Sequence, residues 1–135
     1  MLACRRDSIM KLPNIFETEV VPLALFAGDV IYSEGDEPTA MYIVQSGEVE
    51  LRVGGRCIET VGPDGFFGEM ALLDHGPRAA TAVAKTECIL IPVSERHFNY
   101  MVEEAPFFAL VVLRTTVARL RRVGFPYSLQ GLDQR

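Results

Sequence analysis

The chain has 135 residues, of which 49% are hydrophobic and 23% are charged, and its formal net charge is −5 at pH 7. This length fits one domain, and the composition excludes a fully disordered, collagen-like or disulfide-scaffold protein. The net negative charge argues against general binding to nucleic acid or anionic membranes, and the apolar run 105–113, interrupted by Pro106, is too short to span a bilayer.

The first residues and the cysteines indicate a cytoplasmic protein. Residues 1–6 carry positive charge but no apolar stretch follows them, so we expect no signal peptide. The three cysteines, Cys4, Cys57 and Cys88, are an odd number at unrelated spacings. They are predicted to be free thiols in a reducing compartment, with Cys57 and Cys88 packed as small hydrophobic side chains.

The charge is unevenly distributed along the chain. Residues 1–106 have a net charge of −9, whereas residues 107–135 have a net charge of +4. Either the basic C-terminal segment complements the acidic body of the same chain, or it meets a partner or an anionic ligand.

In chain order, the first two thirds of the sequence show short strands separated by Gly, Pro and Asp turns, a pattern typical of a small β-sandwich or barrel. The clearest strand, residues 48–53, alternates strictly and precedes Gly54-Gly55, which suits a tight hairpin turn. The predicted strands are Val20–Phe26, Val30–Tyr32, Met41–Val44, Glu48–Val53, Cys57–Val61, Ala79–Lys85 and Cys88–Val93.

After Val93 the hydrophobic period changes from 2 to 3.6, which predicts helices. Ser94 is a candidate N-cap for a first helix, and Pro106 ends that helix and starts a second one that runs to about Val123. We therefore predict a mainly β fold with C-terminal helices (α+β), a jelly-roll type β-roll. Residues 1–19 are a short N-terminal segment, 20–123 are one domain (roll 20–93, helices 94–123), and 124–135 are a tail.

The segment from Gly65 to Thr81 carries the candidate site. Gly68 permits a close backbone approach, and Glu69–Leu73 are predicted to form one helical turn whose free N–H groups face an anion. Gly76-Pro77 turns the chain back and brings in Arg78, whose guanidinium suits a phosphate. Glu69 can accept hydrogen bonds from sugar hydroxyls, so the segment predicts a nucleotide site.

These motifs resemble the phosphate-binding cassette of cyclic nucleotide-binding domains, as found in protein kinase regulatory subunits, the catabolite activator protein and gated channels. The matching segments are Phe67-Gly68-Glu69-Met70-Ala71-Leu72 and Pro77-Arg78-Ala79-Ala80-Thr81. Upstream glycines match as well: Phe26-x-Gly28-Asp29-x-Ile31, Gly35-Asp36 and Gly47-x-Val49 resemble the turns that precede the cassette. The resemblance covers roughly residues 20–123.

The resemblance implies a role for individual positions. Glu69 would bind the ribose 2′-hydroxyl, and Arg78 would bind the cyclic phosphate with help from backbone N–H groups near Ala71 and Ala79. Ala79, directly after the cassette arginine, implies cyclic AMP (cAMP) as the ligand, with cyclic GMP (cGMP) as the alternative. The expected ligand-binding residues are Phe67, Gly68, Glu69, Met70, Ala71, Leu72, Arg78, Ala79, Ala80, Thr81 and Arg114.

The resemblance also implies that the second helix acts as a lid, a segment that closes over the base. Its residues Leu110, Leu113, Val117 and Leu120 form an apolar stripe at 3-4-3 spacing. This stripe could cover the purine, pair with a second copy of the chain or another protein, or pack on the roll. Arg114 could stack on the base.

Other functions have less support in the sequence. Only two histidines, His75 and His97, are present, and no carboxylates lie at ligand spacing, so we expect neither a metal site nor catalysis. The sequence therefore predicts a non-catalytic cAMP sensor module without an attached output. The alternative is a degenerate β-roll that acts as a protein-interaction module and does not bind nucleotide.

Overall fold

The structure of the chain, a computed structural model, describes residues 20–122. The predicted N-terminal segment, the tail, Cys4 and the end of the second helix at Val123 lie outside the described residues. The elements in order are β1 (Leu23–Leu25), β2 (Val30–Tyr32), β3 (Ala40–Ser46), β4 (Val49–Val53), β5 (Arg56–Val61), β6 (Phe66–Phe67), α1 (Glu69–Asp74), β7 (Thr81–Ala84), β8 (Cys88–Ser94), α2 (Glu95–Glu104) and α3 (Pro106–Arg122).

The eight strands form two antiparallel four-stranded sheets, so the predicted mainly β fold with C-terminal helices is confirmed. One sheet has the order β1-β8-β3-β6 and the other β2-β7-β4-β5. Gly54 and Gly55 have φ angles of 59° and 80° and connect β4 to β5 in the predicted hairpin.

Three predicted strands are shorter in the structure, one of them by a single residue, since β4 begins at Val49 and not at Glu48. The strand predicted over Val20–Phe26 is limited to β1, because Asp29 bonds back to the Phe26 amide in a turn (2.9 Å). The strand predicted over Ala79–Lys85 begins only at Thr81, since Ala79 and Ala80 form a bend before β7. The two-residue strand β6 was too short for its pattern to be recognised.

The core has two parts, and the alternation of side chains along the strands assigns residues to each part. Phe67 and Leu90 belong to a cluster between the two sheets, whereas the neighbouring Phe66 belongs to a cluster between the β1-β8-β3-β6 sheet and the helices. Helix residues Phe98 and Phe108 complete the second cluster, with their ring centroids 5.8 Å apart. The roll and the helices therefore share a continuous apolar contact.

The two C-terminal helices begin as predicted. Ser94 caps α2 by accepting a hydrogen bond from the His97 amide (3.2 Å), and Pro106 is the first residue of α3. The buried residues of α3 are Phe108, Val112, Thr116 and Arg119, whereas Leu113 is 58% exposed. Leu110, Leu113 and Val117 of the 3-4-3 stripe are exposed and do not pack on the roll, whereas a more polar face of α3 does. Within residues 20–122, no helix is both long and apolar enough to cross a membrane.

Candidate functional site

A cleft of about 690 Å³ lies between the β2-β7-β4-β5 sheet, the start of α1 and the end of α3. Its size is typical of small-molecule sites, and its walls combine apolar side chains with a few charged groups. The sheet contributes Tyr32, Leu51, Val53, Arg56, Cys57, Ile58 and Glu59; the segment around α1 contributes Gly68, Glu69, Met70, Ala71, Arg78, Ala79 and Ala80; and α3 contributes Arg119, Leu120 and Arg122.

Backbone contacts place Arg78 at the cleft. The Gly35 amide donates to the Arg78 carbonyl and the Arg78 amide donates to the Asp36 carbonyl, each at 2.8 Å. Nearby, the Thr81 hydroxyl accepts a hydrogen bond from the Glu34 amide at 3.0 Å. The turn after β2 therefore holds the segment that follows α1.

The Arg78 side chain is only 4% exposed, although it carries a full charge. Its Nη1 donates to the Gly68 carbonyl at 3.0 Å and its Nη2 donates to the Ala40 carbonyl, while Nε has no partner. The guanidinium lies 3.9 Å from the centre of the Tyr32 ring, and no described carboxylate forms an ion pair with it. A buried cation with an open donor is strongly suited to an anionic ligand.

Tyr32, whose ring lies beside the Arg78 guanidinium, is a neutral phenol. Burial raises the pKa of Tyr32 to about 12, although the Arg78 charge acts in the opposite direction. The phenol therefore stays protonated at physiological pH, and its ring presents a π face to the cation.

Glu69, the first residue of α1, is 1% exposed and is paired with α3. Its Oε1 accepts from Arg119 Nη1 at 2.8 Å. Its Oε2 is only 3.3 Å from the Thr116 hydroxyl, whose single proton has a shorter bond to the Val112 carbonyl at 2.8 Å. Oε2 therefore has only the weaker of the two contacts and is the carboxylate oxygen more open to another hydrogen bond.

A second carboxylate, Glu59 on β5, completes a network with Arg119. Arg119 Nε and Nη2 donate to the two Glu59 oxygens at 2.9 and 3.1 Å, and Arg122 Nη1 is 3.2 Å from Oε1. Burial lowers the pKa of Arg119, but the hydrogen bonds and charges of Glu59 and Glu69 outweigh burial and raise it. Part of the basic C-terminal segment thus complements acidic residues of the same chain.

The structure brings seven of the eleven expected ligand-binding residues to the cleft, namely Gly68, Glu69, Met70, Ala71, Arg78, Ala79 and Ala80. The other four lie elsewhere. Phe67 and Leu72 are buried in the core, the Thr81 hydroxyl bonds the Glu34 amide, and Arg114 is exposed on α3. Arg114 is not among the residues that line the cleft, because the rotation of α3 turns Arg119, Leu120 and Arg122 towards it.

The sequence analysis did not assign Tyr32, Glu59 or Arg119 to the site, and it named Leu120 only as part of a stripe that could cover the purine. A second helical face could be recognised from the spacing of Phe108, Val112, Thr116 and Arg119. Two of these four residues are polar, so the fully apolar 3-4-3 stripe was the more prominent pattern. No local signal marks Glu59, which is 60 positions from Arg119.

Cys57, Cys88 and His75 lie outside the charged network of Arg78, Glu69, Glu59 and Arg119. Cys88 is buried as predicted, but Cys57 is exposed at the cleft, because β5 is an edge strand; both are free thiols. His75 is exposed and contacts Glu95 on α2, with Nε2 and Oε2 2.8 Å apart. Over the described range 20–122, no group of three or more His, Cys, Asp or Glu residues is arranged to hold a metal ion.

Comparison with known proteins gives consistent matches. The family model described as "Cyclic nucleotide-binding domain" matches residues 23–105, more than half of the chain. A cAMP-dependent protein kinase regulatory subunit of Eremothecium gossypii is 39% identical over 101 residues, which are 75% of this chain and 21% of that protein. The chain therefore spans about a fifth of the length of that relative.

Two solved structures illustrate the similarity of the fold. The crystal structure of the Thermus thermophilus catabolite activator protein has a TM-score of 0.72 at 29% identity, covering 87% of this chain and 58% of that chain. The cGMP-bound form of an EAL enzyme has a TM-score of 0.59 at 28% identity, covering 77% of this chain and 29% of that chain. The β-roll with C-terminal helices is thus shared with these proteins.

Proposed function

Since this chain belongs to the cyclic nucleotide-binding domain family, we propose that its cleft binds a cyclic nucleotide and prefers cAMP to cGMP. The observation that carries the proposal is the buried Arg78 guanidinium, which has an open Nε and no carboxylate partner among residues 20–122. A cyclic phosphate would supply the missing negative charge and accept the open hydrogen bond.

The sugar would lie beside Glu69. Both Arg78 and Glu69 line the same cleft, and Glu69 Oε2 has capacity to accept a hydrogen bond from a ribose hydroxyl. A cation that can bind a phosphate and a carboxylate that can accept from a hydroxyl group lie in one cleft. This combination fits a nucleotide better than either free phosphate or a sugar alone.

The base would occupy the apolar part of the cleft. Leu51, Val53 and Ile58 line one side, and Leu120 lines the side formed by α3. Preference for cAMP is supported by Ala79, which follows Arg78 and offers no hydroxyl group to a guanine. Arg114, expected to stack on the base, stays a proposal that requires α3 to move.

Ligand binding and the position of α3 are proposed to be coupled. Arg119 already joins α3 to Glu69, and Leu120 lines the cleft, so a bound nucleotide would contact groups held by the helix. In the closed arrangement α3 lies over the base. A ligand that binds this arrangement more tightly than an open one stabilises it, and closure of α3 in turn strengthens ligand binding. The chain would then act as a non-catalytic cytoplasmic sensor.

The exposed face of α3 favours a second candidate function, a protein-interaction module that does not bind nucleotide. Phe107, Leu110, Leu113 and Val117 are 67, 44, 58 and 41% exposed, which is unusual for large apolar residues on one helix. A protein partner or a second copy of the chain would cover this face.

Isothermal titration calorimetry of the chain with cAMP, cGMP and 5′-AMP tests the proposal. We expect one-to-one binding of cAMP, weaker binding of cGMP and none of 5′-AMP. In Arg78→Ala, loss of the charge partner should weaken cAMP binding by at least about 30-fold, corresponding to ~2 kcal/mol. Arg78→Lys, which keeps the charge but loses the planar fork, should also weaken binding.

The matched control is Arg96→Ala, since Arg96 is an exposed arginine on α2 that does not line the cleft. It should bind cAMP as the unmodified chain does. An Arg78→Ala protein that binds cAMP with unchanged affinity contradicts the assignment, and a folded chain that binds none of the three nucleotides supports the interaction module instead.

A further inference from the structure

Glu59 has an unusual position for an acidic residue on an edge strand. It lies on β5, its side chain is only 20% exposed, and both carboxylate oxygens are engaged. The two oxygens accept the Nε and Nη2 donors of Arg119 at 2.9 and 3.1 Å, so the pair is bidentate.

This bidentate contact fixes the orientation of the Arg119 guanidinium. The guanidinium is planar, so holding Nε and Nη2 also fixes the direction of Nη1. Nη1 donates to Oε1 of Glu69 at 2.8 Å, and Nη2 also donates to the Phe66 carbonyl at 2.5 Å. Arg119 therefore reaches Glu69 with one nitrogen only, and Oε2 of Glu69 receives no donor from it.

We propose that Glu59 is a positioning residue for the sugar subsite: through Arg119 it keeps Glu69 Oε2 available to the sugar hydroxyl of the ligand. The inference rests on the proposed cyclic nucleotide binding. A 3′,5′-cyclic ribonucleotide has one free sugar hydroxyl, at the 2′ position, so Glu59 would determine how strongly the cleft distinguishes ribose from deoxyribose.

The alternative geometry explains why the position of Arg119 matters. Without the Glu59 carboxylate, the Arg119 fork is free to turn and bind both oxygens of Glu69, the arrangement that arginine and carboxylate prefer. Arg119 would then donate to Oε2 as well, and a sugar hydroxyl would compete with it for that oxygen. Ligand binding would become less sensitive to the 2′-hydroxyl without losing the phosphate contact at Arg78.

The test measures the affinity of the chain for cAMP and for 2′-deoxy-cAMP by calorimetry. Because a hydrogen bond to a charged group changes affinity by about 10- to 150-fold, the unmodified chain should prefer cAMP by roughly that factor. Glu59→Gln should lower this preference by at least about threefold and leave the affinity for 2′-deoxy-cAMP nearly unchanged. A purely structural role for Glu59 would instead weaken both ligands equally.

Glu50→Gln is the matched control. Glu50 lies on β4 of the same sheet, is 19% exposed, and accepts from Arg52 Nε and Nη2 at 3.0 and 2.7 Å. It does not line the cleft, so its loss should not change the preference for cAMP. A second variant combines Glu59→Gln with Arg119→Lys, which removes the fork that could bind both Glu69 oxygens but keeps the charge, so it should restore part of the preference that Glu59→Gln loses.

The outcomes separate the two proposals. If the unmodified chain prefers cAMP over 2′-deoxy-cAMP and Glu59→Gln keeps that preference, or the double variant lowers it no less than Glu59→Gln does, the positioning role is wrong while cyclic nucleotide binding stands. If the unmodified chain binds both ligands equally, Glu69 does not recognise the 2′-hydroxyl and the inference is also overturned. If the folded chain binds neither ligand, the proposed function itself is wrong.

Discussion

At Gly68, directly before α1, the backbone passes so close to Arg78 that a side chain would not fit. The residue has a φ of +84°, and a Cβ there would lie 2.8 Å from Arg78 Nη1 and 3.4 Å from the Tyr32 hydroxyl. The carbonyl oxygen of the same residue accepts a hydrogen bond from Arg78 Nη1 at 3.0 Å. Gly68 therefore serves both the turn into α1 and the position of the guanidinium.

Gly68→Ala should weaken both folding and ligand binding. A non-glycine residue in the left-handed region costs about 1–2 kcal/mol, and the added methyl group would in addition displace Arg78. The free energy of unfolding from urea titration and the cAMP affinity measure the two effects.

Gly28→Ala separates these two effects. Gly28 has a similar φ of +93°, but a Cβ there would meet nothing within 4 Å. This variant should lose a similar amount of backbone stability and keep its affinity for cAMP. An equal loss of affinity in both variants would mean that backbone strain, rather than contact with Arg78, affects the cleft.

Among the elements, α3 shows how one helix serves two surfaces. Phe108 is 4% exposed and packs edge-on against Phe98, whereas its neighbour Phe107 is 67% exposed. Further along the buried face, Thr116 and Arg119 contact Glu69, and Arg119 lines the cleft. Packing of the first half of α3 on the roll therefore positions the second half at the candidate site.

Phe108→Ala should lower the free energy of unfolding by about 3–5 kcal/mol, the usual cost of removing a buried phenylalanine. Phe107→Ala, which removes the same atoms from the adjacent exposed position, should change it by less than about 0.5 kcal/mol. Chemical denaturation of the two variants under the same conditions measures both. Equal losses would show that the assignment of buried and exposed faces on α3 is wrong.

For the whole molecule, the contact of His75, directly after α1, with Glu95 on α2 makes stability depend on pH. The hydrogen bond to Glu95 and the charge of Glu95 raise the pKa of His75 above its ordinary value of 6.5, with Asp74 adding in the same direction. A group whose pKa is raised by folding stabilises the folded state fully below the unfolded pKa and loses that contribution as pH rises through the folded pKa.

His75→Gln should therefore be less stable than the unmodified chain at about pH 5.5 and equally stable at about pH 8.5. Melting temperatures at low salt, compared between the two proteins at each pH, give the result. Since the pair is exposed, the difference should decrease at high salt. A difference that is constant across pH would mean that the charge of His75 has no part in it.

Sequence alone determined the fold class, the hairpin at Gly54-Gly55 and the cassette around Gly68, Glu69 and Arg78. These features depend on local properties: the period of hydrophobic residues, turns that require glycine, and charged residues spaced closely along the chain. Each strand, helix, turn and closely spaced motif can be recognised within a window of about 20 residues, because neighbouring residues set the backbone conformation. The order of these elements along the chain then gives the fold class.

Tertiary structure alone decided which face of α3 meets the roll and which groups surround Glu69. Arg119 contacts Glu69 and Glu59 across 50 and 60 positions of sequence, and no local pattern relates such distant residues. On α3 the apolar stripe was the stronger periodic signal, yet the face with Thr116 and Arg119 is buried, because Glu59 and Glu69 supply the partners that these polar groups need. The apolar packing of Phe108 and Val112 and the long-range ion pairs of Arg119 together set the rotation of the helix at the cleft.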